Sequence, residues 1–361
     1  MPSASTLADA PSCPDSPMPR IHSSMQRRTG SLVIALKQQA LERFFPGGFP
    51  EVPEKRNMPV FFEVTNNPAP GQWAARLREL NASVLVSSWS TPSLRAFAET
   101  PESCPLNYVC HLTGSVRRLI PEALIRHGLL VSNWGPLVSP QVAEHALLLI
   151  LAALRDITAW PAGLRADTWK QGISTRTLRD KRVGIFGFGA IARELVTLLR
   201  PFGVSLRAWS AGVPGHFIRE HGVEPAVSQE NLFSDADVLV SCEALTPSTH
   251  GAITAALLAR LPDNALFVNI ARGALVDQAA LEAESLSGRI RVALDVYGAE
   301  PLPPDNPLRR APGAVLSPHI AGPTDDADPL IGQFAIQNLK RYFSGLTPEA
   351  VVSPEAYARS T

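Results

Sequence analysis

The chain has 361 residues, and its lysines plus arginines balance its aspartates plus glutamates at 33 each. This length exceeds a typical single domain and fits two, while the balanced charge argues against nucleic acid or a membrane as a main partner. The longest apolar run, residues 146–154, is too short to cross a bilayer, and the cysteines have neither metal-ligand nor disulfide spacing, so we expect a cytoplasmic protein without a metal site (Cys13, Cys104, Cys110, Cys242).

Residues 1–29 are rich in proline and serine and poor in large apolar side chains, so the segment is predicted to be a disordered tail. It lacks the apolar centre of a secretory signal, and Asp9 and Asp15 argue against a transit peptide. Short β-type runs follow at residues 31–36, 59–64, 83–88 and 107–112. Their spacing predicts a small open α/β domain.

Residues 131–134 lead through two prolines into a long apolar helix predicted over residues 142–157. Strands alternating with helices then predict a doubly wound parallel sheet, and a last helix over residues 328–343 returns to the first domain. The predicted strands are 183–186, 204–209, 237–241, 265–270, 290–295 and 314–316. We therefore expect one domain from residues 30–133 with 327–361 and a dinucleotide-binding domain from residues 134–326.

The turn after the predicted strand 183–186 carries a dinucleotide-binding pattern. Gly187 and Gly189 match the first two glycines of G-x-G-x-x-G, and Ala192 takes the third place, where alanine is an accepted variant. A helix over residues 190–200 follows, ended by Gly203, and would direct its positive N-terminal dipole at a pyrophosphate. A glycine-rich turn alone is weak evidence, but the strand–helix–strand setting indicates nucleotide binding.

Three charged residues follow apolar strands of this domain: Arg272, Glu300 and His319. The carboxyl ends of strands in an open α/β sheet face the crevice where ligands bind. Arginine offers a planar fork for a carboxylate, histidine exchanges a proton near neutral pH, and a glutamate favours the imidazolium. Taken singly, each has a structural alternative: a surface salt bridge, a solvated loop residue and a hydrogen-bonded histidine.

From about residue 106 to 343 the chain resembles the D-isomer-specific 2-hydroxyacid dehydrogenase family, which includes D-3-phosphoglycerate, D-lactate and glyoxylate/hydroxypyruvate enzymes. The resemblance implies a Rossmann-type domain plus a smaller flavodoxin-like substrate domain. It also implies that Arg272 anchors the substrate carboxylate and keto oxygen, Glu300 is the partner of the histidine, and His319 is the general acid and base. Five ordered segments carry it: 183–192, 236–250, 269–275, 294–302 and 317–324.

Further roles follow from the same resemblance. The backbone N–H groups of Thr113, Gly114 and Ser115 would receive the substrate carboxylate, with a plain glycine turn as the alternative. The helix containing Glu144 and His145 helps to form a homodimer in the family, and these two residues are expected to be structural. The implied cofactor contacts, with loop capping or core packing as alternatives, are Ala190, Ile191, Ala271, Asp295 and Gly322.

The sequence departs from the family pattern in two places. Ser210 replaces the acidic residue that holds the ribose of NAD, so the cofactor is NAD or NADP, with a modest expected lean toward NADPH. Gly298 and Ala299 leave Glu300 as the only carboxylate in its loop.

We therefore expect an oxidoreductase acting on a small 2-keto or D-2-hydroxy acid. The alternative is a dinucleotide-sensing binding protein similar to the family's transcriptional corepressors; formate or phosphite oxidation is less favoured, because Glu300 stands where the formate enzymes have glutamine.

Overall fold

The computed structural model describes residues 30–52, 59–64 and 68–359, and the predicted tail 1–29 lies outside these residues. Strands and helices alternate along the described chain. The strands are β1 Ser31–Leu36, β2 Val60–Glu63, β3 Ala82–Ser87, β4 Tyr108–His111, β5 Leu130–Ser132, β6 Arg182–Phe186, β7 Ser205–Trp209, β8 Glu224–Pro225, β9 Val238–Ser241, β10 Leu266–Asn269, β11 Arg291–Leu294 and β12 Val315–Leu316. The helices are α1 Gln38–Phe44, α2 Pro70–Glu79, α3 Glu122–Arg126, α4 Ser139–Leu154, α5 Ala159–Arg165, α6 Ala190–Leu199, α7 Gly215–Glu220, α8 Gln229–Ser234, α9 Ala255–Leu258, α10 Gln278–Leu286, α11 Asp328–Phe343 and α12 Pro354–Arg359.

The strands form two separate parallel sheets. The first has the order β2-β1-β3-β4-β5, which is the flavodoxin-like order, and the second has the order β12-β11-β10-β9-β6-β7-β8. Six neighbouring strands of the second sheet, from β8 to β11, follow the Rossmann order 3-2-1-4-5-6. The predicted fold class is therefore confirmed.

Both faces of each sheet are buried, as expected for parallel strands covered by helices. In β1, the side chains of Leu32, Ile34 and Leu36 enter one core cluster, while Val33 and Ala35 enter the cluster on the opposite face. In β9, Val238 and Val240 face one core and Leu239 faces the other. In these inner strands, continuous apolar runs thus correspond to strands with no solvated face.

The long helix α4 differs from its predicted bounds of 142–157. It begins at Ser139, because Pro140 lies in the first turn, where a helix needs no N–H donor. It ends at Leu154, two residues before Asp156, whose φ of 57° is left-handed. Among the described residues no single helix has the length and apolarity to span a membrane; only α4 and α5 together would meet those criteria, and they are bent by 44°.

Helix packing shows which elements accompany each sheet. Helix α4 packs on α6, β10 and β11, whereas α11 packs on α1 and β4, and α12 packs on α3. The chain thus leaves the first sheet after β5 and returns to it after β12. On this packing we propose the domain boundaries stated above, residues 30–133 with 327–361 and residues 134–326.

Candidate active site

The dinucleotide-type turn after β6 requires glycine at its first position. Gly187 has a φ of 95°, and a Cβ there would lie 2.5 Å from the backbone N and Cα of Glu243. Its N–H donates to the carbonyl of Trp209 at the end of β7. The turn is therefore pressed against the strand ends on both sides, and any side chain would force them apart.

The second glycine of the pattern opens a concave surface at the start of α6. Gly189 precedes the helix, and a Cβ placed on it would meet no atom within 4 Å. The N–H groups of Ala190 and Ile191 in the first turn have no acceptor among the described residues, as is usual at a helix start, whereas Ala192 is fully buried against the core. This open surface with free donors fits a pyrophosphate.

A carboxylate that the sequence analysis did not single out lies beside this turn. Ser210, directly after β7, donates a hydrogen bond from its Oγ to Oε2 of Glu243 at 3.0 Å. Glu243 follows β9 by two residues. It lies just beyond a strand end, the signal that pointed to Arg272, so the same rule applied to β9 would have found it.

Arg272 lies in a tight turn after β10. The side chain of Asn269 holds this turn, accepting from the N–H of Ala271 and donating to the carbonyl of Arg272. Burial lowers the pKa of the Arg272 guanidinium, and the nearby Glu300 carboxylate partly offsets that effect. Gly273 allows the turn to touch the next loop, because a Cβ there would lie 1.9 Å from the carbonyl carbon of Tyr297.

Glu300 and His319 form a direct pair. Nδ1 of His319 lies 2.6 Å from Oε2 of Glu300, and Oε1 of Glu300 accepts the N–H of Tyr297 at 3.0 Å. The two side chains are 45% and 35% exposed, so solvent or a ligand can reach them. His319 has a left-handed φ of 54°, which is uncommon for a residue other than glycine and requires support from its surroundings.

That support comes from Asp295, which is only 1% exposed. Its Oδ1 accepts from the Ser317 hydroxyl at 2.6 Å and from the N–H of Ile320, and its Oδ2 accepts from the N–H of Ala321. Burial opposes ionisation, but these bonds and the nearby His145 together lower the pKa of Asp295. The geometry fits the loop-capping alternative, because the carboxylate is buried and held by the loop, and the cofactor contact implied by the resemblance stays a prediction.

The predicted substrate loop follows β4. Thr113 is buried, with its Oγ1 2.6 Å from Nε2 of His111, and His111 Nδ1 lies 2.9 Å from the Ser87 hydroxyl. A Cβ on Gly114 would lie 2.8 Å from the Trp134 ring, so the loop has room only for glycine there. The N–H groups of Thr113, Gly114 and Ser115 have no acceptor in the described part of the chain, which leaves them available to an anion.

The remaining predicted contacts are mainly packed into the protein. Ala271 is buried, and a Cβ on Gly322 would lie 2.8 Å from Val138, next to the start of α4. His145 on α4 lies 2.9 Å from the Ser317 hydroxyl and so has the structural setting expected of it. In the described ranges no three histidine, cysteine or acidic side chains group as a metal site would require.

Comparison with known proteins agrees with this geometry. Residues 147–321 match the family model described as the NAD binding domain of D-isomer specific 2-hydroxyacid dehydrogenases. The chain is 31% identical to the D-3-phosphoglycerate dehydrogenase of Methanocaldococcus jannaschii over 76% of its own length, but it spans about half of that relative, 52%. It is 30% identical to glyoxylate/hydroxypyruvate reductase B of Pectobacterium atrosepticum over 65% of this chain and 75% of that protein. A solved phosphoglycerate oxidoreductase from Rhizobium etli superposes with a TM-score of 0.68 at 26% identity, covering 89% of this chain and 97% of that one.

Burial of His111 predicts a defined acid sensitivity. Burial lowers the pKa of His111 to about 4, so the imidazole is neutral in the folded protein. Below about pH 6.5 the unfolded chain takes up a proton that the folded chain does not, and stability falls as the pH drops toward 4. The contribution lost is about 3 kcal/mol.

We expect His111→Gln to remove this component. Urea unfolding between pH 7 and pH 4 should show a smaller loss of unfolding free energy in the variant than in the parent. His127→Gln, at an exposed histidine that follows α3, is the matched control and should retain the parental slope. Identical slopes in parent and His111→Gln would contradict the prediction.

Proposed function

Since this chain belongs to the D-isomer-specific 2-hydroxyacid dehydrogenase family, we propose that it transfers a hydride between a nicotinamide dinucleotide and C2 of a small 2-keto or D-2-hydroxy acid. The observation that carries the proposal is the Glu300–His319 pair at 2.6 Å, with the half-buried Arg272 guanidinium electrostatically coupled to the same carboxylate. A cation, a proton carrier and its orienting base are what reduction of a 2-keto acid requires.

The roles follow from the donor and acceptor chemistry of these groups. Arg272 binds the substrate carboxylate and stabilises the negative charge that develops on the keto oxygen. Glu300 accepts a hydrogen bond from the Nδ1–H group of His319, which orients the ring and leaves Nε2 to donate a proton to the keto oxygen. Oxidation of the hydroxy acid reverses this transfer. Asp295 also acts on the reaction through the loop that carries His319, because it accepts hydrogen bonds from that loop.

The cofactor is NAD or NADP, and the dinucleotide supplies or accepts the hydride. Its pyrophosphate would be held by the N–H groups at the start of α6 and by the backbone beside Gly189. Support for this assignment is the open surface there and the free donors of Ala190 and Ile191.

Replacing His319 tests the proposed reaction. We expect His319→Gln to reduce turnover of NADH or NADPH with glyoxylate, hydroxypyruvate or pyruvate by roughly 10² to 10⁴-fold, because only proton transfer is removed. Dinucleotide affinity, measured by tryptophan fluorescence, should change little, and His127→Gln should keep parental turnover. A parent that binds the dinucleotide but reduces no keto acid would be a binding protein of the same fold; unchanged turnover in His319→Gln would remove the proposed role of that residue.

A cavity beside the substrate loop suggests which keto acids fit. It has a volume of about 360 Å³, and Ser115 belongs both to its wall and to the loop with the free N–H groups. Lys37 and Arg118 also line it, whereas none of the described residues in its wall is an aspartate or a glutamate, and the low pKa of His111 keeps that wall residue neutral. We propose that the cavity receives the substrate's side chain and favours one that ends in an anionic group.

We expect Arg118→Gln to lower kcat/KM for a keto acid with a second carboxylate by roughly 5- to 20-fold, in keeping with the loss of one partly solvated charge contact. The value for pyruvate, which has only a methyl side chain, should change less than twofold and is the internal control. Steady-state kinetics with oxaloacetate and pyruvate measure both numbers. Equal losses of kcat/KM for the two substrates would show that Arg118 does not interact with the side chain of the substrate.

We further propose that the protein is a homodimer. Five large apolar side chains between residues 148 and 169 are 38 to 72% exposed: Leu148, Ile157, Trp160, Leu164 and Trp169. They belong to α4, α5 and the adjoining segments, whereas soluble monomers seldom expose so large an apolar patch. A second copy related by twofold symmetry would bury the same surface on both subunits.

Leu164→Asp should convert the dimer to a monomer near the chain mass of 38.8 kDa, because it introduces a charge into the buried interface. Sedimentation at micromolar concentration measures the mass. Val227→Asp, at an isolated apolar side chain that is 87% exposed, is the matched control and should leave the mass unchanged. A monomeric parent at that concentration would disprove the proposed dimer.

A further inference from the structure

We propose that Glu243 selects NAD(H) over NADP(H), supplying the carboxylate that Ser210 does not. The inference rests on the proposed function, in that it takes the turn at residues 187–192 as the place where a nicotinamide dinucleotide binds. Glu243 follows β9, whereas the family pattern places the residue that binds the ribose directly after β7, at the position of Ser210.

The register of the second sheet brings the two residues together. Phe186 of β6 pairs with Trp209 of β7 on one side and with Ser241 of β9 on the other. Ser210 and Glu243 therefore leave the sheet at the same edge, on opposite sides of the Gly187 turn. They are 33 positions apart in the chain, and only parallel pairing across β6 makes them neighbours.

The missing side chain of Gly187 allows Glu243 to reach across the turn. The backbone of Glu243 passes so close that a Cβ on Gly187 would lie 2.5 Å from it. Beyond this contact, Oε2 accepts from the Ser210 hydroxyl at 3.0 Å, and Oε1 accepts from the N–H of Ala244 at 3.1 Å. Both carboxylate oxygens are thereby oriented at the end of β7, where a bound dinucleotide presents its adenosine ribose.

A carboxylate at this point distinguishes the two cofactors by charge. The vicinal hydroxyl groups of the NAD ribose donate hydrogen bonds to a carboxylate, whereas the 2′-phosphate of NADP, with a charge of about −2, is repelled by it. Ser210 is neutral and serves to orient Glu243. On this assignment, a preference for NADH takes the place of the lean toward NADPH that Ser210 alone predicts.

Two arginines of this domain, Arg207 and Arg193, are engaged with other groups. Arg207 forms an ion pair with Asp235, and Arg193 lies over the Phe217 ring with its guanidinium carbon 5.6 Å from the centroid. Within the described residues, no lysine, arginine or histidine forms an ion pair with Glu243. Its negative charge is thus left uncompensated by the groups that would otherwise bind a 2′-phosphate.

Direct binding to the full chain tests this assignment without relying on turnover. Calorimetric titration measures the affinities of NADH and NADPH. The same measurement with ADP-ribose and 2′-phospho-ADP-ribose, which lack the nicotinamide, gives the contribution of the adenosine half alone. We expect the parent to bind NADH roughly 30-fold more tightly than NADPH, a ratio equivalent to ~2 kcal/mol. Glu243→Gln keeps the shape of the side chain and removes its charge, so it should reduce the ratio at least tenfold, mainly by tightening NADPH binding.

Glu224→Gln removes an equal charge from the exposed edge strand β8 and should leave the ratio unchanged. Glu243→Ser is the second variant if Glu243→Gln does not fold, and the same fall in ratio is expected. Parental preference for NADPH, or a strong NADH preference that survives both substitutions, would overturn the inference while leaving dinucleotide binding intact. A parent that binds none of the four ligands would instead overturn the proposed function itself.

Discussion

The arrangement of the candidate active site depends on one buried carboxylate. Asp295 is 1% exposed and accepts hydrogen bonds from one hydroxyl and two backbone N–H groups of the loop 317–321. A buried charge is costly unless it is paired and hydrogen-bonded, and these donors meet that requirement. Because they all come from one loop, the ionised form of Asp295 is coupled to a single conformation of that loop. The left-handed backbone of His319 and its contact with Glu300 both rely on this coupling.

The rest of the arrangement depends on close approaches of backbone at the same edge of the second sheet. Gly187 allows the end of β9 to pass beside the dinucleotide-type turn, and Gly273 allows the Arg272 turn to touch Tyr297. At both positions a Cβ would fall within 2.5 Å of a backbone atom, which no rotamer change can relieve. These glycines therefore determine which polar side chains meet: Glu243 with Ser210, and Arg272 with the loop of Glu300.

Reasoning from strand ends identified Arg272, Glu300 and His319, because the carboxyl ends of parallel strands share one edge whatever the details of packing. The same reasoning passed over Glu243, since Ser210 drew attention to β7 instead of β9. The family pattern implies a cofactor contact for Asp295, and the structure adds that its buried carboxylate accepts the hydrogen bonds that hold the loop of His319. Exposure and hydrogen-bond partners reveal this second feature, and neither can be read from residue type.

By itself, the sequence determined the fold class and ten of the twelve described strands, all but the short β5 and β8, because apolar runs, glycine turns and their alternation are local properties of the chain. It also determined where a dinucleotide-type turn begins. Only the tertiary structure decided that Glu243 reaches Ser210 and that Asp295 holds Ala321, pairs separated by 33 and 26 positions. Such pairings follow from strand register and from how closely two backbones approach, and these depend on the packing of the whole sheet rather than on any single segment.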